Sequence, residues 1–101
     1  MILVRNVFQL KWGKADEALA LTEQFRAISE SQGVKGLRLL TDLGGPMFTL
    51  VQEMEVESLS EWEQSRGSLF ATPEWQAIFA RMSDLIESGR TEFYNIHVDQ
   101  R

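Results

Sequence analysis

The 101-residue sequence contains no cysteine. Disulfide bonds, thiolate nucleophiles and zinc–thiolate sites are therefore excluded. A single histidine leaves no His-x-x-x-His pair, and there is no Asp-rich loop, so no metal ligand set is expected. No Gly-x-Gly-x-x-Gly is present, which excludes a Rossmann dinucleotide site. Uncharged apolar runs stay as short as Met1–Val4, too short to span a bilayer. Arg5 interrupts that run and no small-residue cleavage site follows, so a secretory leader is not expected and a cytoplasmic location is. Two prolines and seven glycines exclude low-complexity character. Ten scattered basic residues stand against fifteen acidic ones, a net charge of −5. That balance argues against nucleic acid and against an anionic membrane surface as partners.

What is present is a globular composition, 44% hydrophobic and 25% charged, at a length that predicts one domain over residues 1–101. Residues 1–11 alternate as a strand, with Ile2, Val4, Phe8 and Leu10 on one face and Leu3, Arg5, Val7 and Gln9 on the other. The period becomes helical from Lys14, where Ala18, Leu21, Phe25 and Ile28 recur, and Gly33 is the expected stop. Strands are predicted over Val34–Leu43 and Met47–Val56, joined at Gly44-Gly45-Pro46, a turn rather than a phosphate loop. Ser58-Leu59-Ser60-Glu61 fits a capping box for a short helix that carries Trp62 and frays near Gly67. Thr72-Pro73 opens another helix, with an apolar stripe through Trp75, Ile78, Phe79, Met82, Leu85 and Ile86 and a stop at Gly89. A last strand is predicted over Thr91–Val98. The order β-α-β-β-α-β is the ferredoxin-like α+β pattern, a four-stranded antiparallel sheet with helices on one face.

Two helical segments cover only one side of such a sheet. With Ile2, Val4 and Phe8 toward the helices, the other face carries Leu3, Arg5, Val7, Arg38, Leu40, Val51, Glu53 and Glu55. In the last strand, Tyr94, Ile96 and Val98 are placed inward, leaving Phe93, Asn95 and His97 on the open face. The apolar members are too many for open water on a small sheet, and the charged ones can pair with each other. A homodimer through this face is expected, with Arg5, Val7, Arg38, Leu40, Val51, Glu53 and Phe93 in the interface.

The start MILVRNVFQLKWGK and the stretch SLSEWEQSRGSLFATPEWQAIFARM resemble the first strand and the split second helix of the dimeric α+β barrel superfamily. Within it, the antibiotic-biosynthesis monooxygenase-like and NIPSNAP-like domains are most similar. The resemblance covers residues 1–98 and implies a dimer whose two sheets form a barrel. It is compatible with unrelated activities. The oxygenase branches imply a cofactor-independent monooxygenase-like enzyme acting on a small aromatic; the NIPSNAP-like resemblance implies a non-catalytic ligand-binding or interaction module.

Several residues are candidates for a site. Asn6 falls on the helix-facing side, where a buried amide needs partners; it either bonds a nearby loop or anchors a ligand. Trp62 packs in the core or lines a pocket. The resemblance places Asn6 and Trp62 at positions that flank the substrate in the oxygenase branches. It also implies a haem-ligating histidine on the long helix, but Trp75–Arg81 contains none, so no cofactor is expected. A small apolar or aromatic ligand could lie among Phe8, Trp62, Phe70, Trp75 and Phe79, although core packing is expected for at least two of the last four. His97 is a candidate general base by its intrinsic pKa, or pairs with a carboxylate. Tyr94 positions a phenolic ligand or packs in the core with its hydroxyl at the rim.

Overall fold

A computed structural model describes residues 1–31 and 34–100, leaving out the side chain of Lys35. The elements are β1 (Ile2–Leu10), α1 (Ala15–Ser31), β2 (Lys35–Thr41), β3 (Thr49–Val56), α2 (Leu59–Phe70), α3 (Pro73–Ser83) and β4 (Ile86–Asn95). The strands form one antiparallel sheet in the order β2-β3-β1-β4. This is the expected α+β ferredoxin-like topology, with the second helical segment in two pieces. The expected stop of α1 at Gly33 lies outside the described residues.

The core forms where the even positions of β1 meet the helices. Leu10 and Leu50 from the sheet pack with Ala18 and Leu21 of α1, Ile78 and Met82 of α3, and Leu85. Amide hydrogens at the starts of α2 and α3 are capped by local side chains. Ser58 Oγ accepts from Glu61 N at 3.1 Å, while Glu61 Oε2 accepts from Glu57 N at 2.8 Å, one residue earlier than a standard box. Thr72 Oγ1 accepts from Trp75 N at 3.3 Å with Pro73 opening α3. The expected fraying near Gly67 does not occur; α2 continues to Phe70.

The hairpin strands are shorter than expected, and Leu43, the last residue of the predicted second strand, is fully exposed in the connecting loop. Asp42 and Thr49 clasp the base of that loop: Asp42 N donates to Thr49 O and Thr49 N to Asp42 Oδ1. Gly36 has φ +65° at a register shift in β2, and a Cβ there would stand 2.9 Å from Glu55 Oε2. The positive φ at the bulge is what favours glycine, since the Glu55 carboxylate could move aside for a Cβ.

The largest difference lies at the end of α3. The apolar stripe through Leu85 and Ile86 suggests a helix to Gly89, yet α3 ends at Ser83. Asp84 N and Leu85 N close a tight turn on Arg81 and Met82 carbonyls, and Lys11 N takes the Leu85 carbonyl. Strand pairing with β1 then begins at Ile86, opposite Leu10. Gly89 is a strand residue beside Phe8, where a Cβ would lie 2.8 Å from the ring.

This earlier start is accompanied by an inverted face assignment for β4. Phe93 pairs with Val4, on the helix side, and its ring meets Trp62 edge-on at 5.1 Å. It is therefore not on the open sheet face. Tyr94 pairs with Leu3 on that open face instead, away from the helices. His97 and Val98 lie beyond the strand and are exposed.

Candidate binding cleft

Three strands place a polar row on the helix-facing side of the sheet. Asn6 of β1 stands between Gln52 of β3 and Thr91 of β4 in the pairing register. Each occupies a position where alternation otherwise supplies apolar residues: Val4 and Phe8 flank Asn6, and Leu50 and Met54 flank Gln52. Thr91 Oγ1 donates to Asn6 Oδ1 at 2.7 Å, which leaves the Asn6 amide hydrogens available. The row forms part of a cleft of about 700 Å³ between the sheet and the helices α2 and α3. That volume lies within the range of small-molecule sites.

The opposite wall is aromatic. Phe70 and Trp75 stack with ring centroids 4.0 Å apart, and Trp75 stacks on Phe79 at 4.8 Å. The Arg66 guanidinium lies 5.0 Å from the Trp62 ring and 4.7 Å from Phe70, within cation–π range of both. Trp62, Phe70, Trp75 and Phe79 all line the cleft, as do Asn6 and Phe8. None of the four helix aromatics is buried or belongs to the core cluster, contrary to the expectation that at least two would pack there. The gap between α2–α3 and the sheet keeps their rings at the cavity wall.

Tyr94 and His97 do not line the cleft. Sequence reasoning missed Gln52, Thr91 and Arg66. Gln52 carried the same signal as Asn6, a polar residue at an inward strand position. Thr91 was hidden by the inverted face of β4.

The open face of the sheet holds a separate charged cluster. Glu53 is only 5% exposed and accepts hydrogen bonds from Arg38 Nε at 3.1 Å and from Arg38 Nη2. Arg5 Nε lies 3.8 Å from Glu53 and 3.7 Å from Glu92, close enough for ion pairing but not for a hydrogen bond. Val7 and Val51 pair beside this cluster, with Leu40 opposite Val51. Six of the seven residues expected here, Arg5, Val7, Arg38, Leu40, Val51 and Glu53, share this face; Phe93 lies on the helix side.

Glu92 ends the cluster. The hydrogen bond from Arg90 Nε at 3.0 Å holds its carboxyl below the usual 4.5, opposed by desolvation and assisted by Tyr94 and Arg5. A depressed carboxyl contributes stability above its unfolded pKa and loses it as pH falls through the folded one. In a carbon-detected titration, the Glu92 midpoint is expected below that of an unpaired glutamate. Arg90→Ala should raise it toward the ordinary value; an unmoved midpoint would remove Arg90 as the cause.

Among the described residues, no group of three or more His, Cys, Asp or Glu could hold a metal ion. Among the same residues, no helix is long and apolar enough to cross a membrane.

No family model and no curated protein matches the chain. Solved structures do. A NIPSNAP domain protein from Burkholderia xenovorans superposes with a TM-score of 0.86 at 22% identity, covering 100% of this chain and 99% of that one. The chain has the fold of the NIPSNAP domain proteins. A NIPSNAP family protein from Agrobacterium tumefaciens gives a TM-score of 0.85 at 27% identity, covering 93% of this chain and 90% of that one. An antibiotic biosynthesis monooxygenase shares the fold more distantly, with a TM-score of 0.76 at 14% identity over 95% of this chain and 98% of that one. The NIPSNAP and monooxygenase neighbours thus share one α+β ferredoxin-like architecture with this chain.

Proposed function

We propose that this NIPSNAP-like chain binds a small, planar aromatic molecule in the cleft and acts on it as a cofactor-independent monooxygenase-like enzyme. The observation that carries this reading is the polar row at Asn6 facing a stacked aromatic wall across an open cavity. A flat ring would stack near Trp62 and the α3 aromatics, while Asn6 would hold an oxygen of the substrate. A water-poor pocket would limit side reactions of an activated ring. We also propose that the open sheet face pairs with a second copy, which would cover Val7, Leu40 and Val51 together with the ion cluster.

The test uses 1,5-dihydroxynaphthalene and dioxygen. Oxygenation would give 5-hydroxy-1,4-naphthoquinone and one water, the arene supplying all four electrons that reduce dioxygen. One oxygen atom stays as the new carbonyl and the other leaves as water. Oxygen uptake and quinone absorbance would follow turnover, and native mass spectrometry on the same sample would read a two-chain mass. Asn6→Ala is expected to lower the rate by tenfold or more with the fold retained. An unchanged rate would reject the role of Asn6.

A second reading is a non-catalytic NIPSNAP-like binding module. It is favoured by the placement of His97 outside the cleft, which leaves the polar row without a histidine base. Saturable binding of the same arene without oxygen uptake would select it.

A further inference from the structure

Gln52 is more than nine-tenths buried, 8% exposed, but its amide atoms are not among the described buried polar atoms that lack a partner; the amide reaches the open space of the cleft. It lines the cleft. An amide that opens onto a cleft from an otherwise buried side chain is placed to exchange water for a ligand's polar group. Its neighbour across the β1–β3 pair is Asn6, whose oxygen is already occupied by the Thr91 hydroxyl. The occupied oxygen orients the Asn6 amide, so this end of the row offers N–H groups. Gln52 can turn its own N–H group toward the same point, since its amide opens onto the cleft.

We propose that Gln52 is the specificity-determining residue of the cleft, acting with Asn6 to select ligands that bear a neutral carbonyl oxygen. This rests on the cleft-binding reading above and adds the chemistry that the cleft prefers. The row of Gln52, Asn6 and Thr91 is uncharged, so it suits an uncharged acceptor. A carbonyl oxygen has two lone pairs in one plane and can accept from two amide groups at once. A ring of the same size without the oxygen would leave both amides unpaired. Sites built to hydrogen-bond a ligand group discriminate strongly against analogues that lack it, for that reason.

The experiment compares 1-tetralone with tetralin, its hydrocarbon counterpart, by protein-observed NMR titration of the full chain. In the native sequence the ketone is expected to bind roughly tenfold more tightly, about 1.4 kcal/mol. The Gln52 side-chain NH₂ signals should shift with the ketone and stay in place with tetralin. In Gln52→Met, which keeps the length of the side chain, the preference should fall to within twofold while tetralin binding is retained. Equal binding of both probes by the native protein, or Gln52 signals that ignore the ketone, would overturn the assignment of Gln52 and leave the cleft as a binding site. Failure of both probes to perturb any cleft residue would overturn the cleft-binding reading itself. Because the Gln52 signals are read in the native protein, a variant that fails to fold does not rescue the proposal.

Discussion

Leu50→Ala is expected to destabilise the chain by about 2–5 kcal/mol. Leu50 is 1% exposed, at the second position of β3, and joins Leu10, Leu21, Ile78 and Met82 in the core. Truncation removes its transfer free energy and leaves a cavity between a strand and two helices that are held by their own packing. Domains of this size have total stabilities on the order of 5–15 kcal/mol, so the loss is a large fraction. The melting temperature should fall by roughly 10 °C or more, since each kcal/mol corresponds to about 4–8 °C at this length. Urea unfolding followed by circular dichroism measures it directly. Leu40→Ala is the matched control, because Leu40 lies in β2 on the other face and is 37% exposed. In the isolated chain it should cost about 1 kcal/mol or less. Equal losses for the two substitutions would mean that the helix side is not the principal core.

Glu53→Ala should cost about 1–3 kcal/mol. The carboxylate is nearly buried and serves Arg38 directly and Arg5 at longer range. Its removal takes away the carboxylate that lies between Arg38 and Arg5 across β3 and leaves Arg5 its pairing with Glu92 at 3.7 Å. Fully buried pairs lose more on truncation, about 3–5 kcal/mol. Here the arginine side chains are 40% and 56% exposed, and water screens what remains. Glu53→Gln retains an acceptor oxygen of the same shape and should lose roughly half as much. Chemical denaturation of the three proteins at neutral pH gives the order. If glutamine and alanine proved equally mild, the buried carboxylate would be shown to contribute little to the sheet.

Local signals in the sequence account for much of this architecture. Alternation in the first strand separates Val4 and Asn6 from Arg5 and Val7 correctly, because a strand side chain has only two directions available. The caps at Ser58 and Thr72 are visible as short-range chemistry. The end of α3 is not, since Leu85 and Ile86 continue a helical stripe that only pairing with β1 interrupts. That pairing also sets the parity of β4, and parity is a long-range property. Alternation alone therefore puts Phe93 and Tyr94 on each other's faces. At the cleft, Asn6 and Gln52 are legible as polar residues at inward positions. The aromatics of α2 and α3 have the same spacing whether they fill a core or line a cavity. Only the distance between the layers distinguishes those two outcomes.

Of the twelve residues of α2, Leu69 alone is buried. The helix keeps its shape through its own caps and backbone bonds rather than through the core beneath it. A helix with so little buried area is expected to detach at a lower free energy than global unfolding, which amide hydrogen exchange of α2 would measure. Entry of a ligand past Trp62 and Arg66 would require only that local opening, while the sheet and the core around Leu50 stay closed. Substitutions in α2 could thus alter how fast the cleft exchanges its contents without altering how stable the protein is.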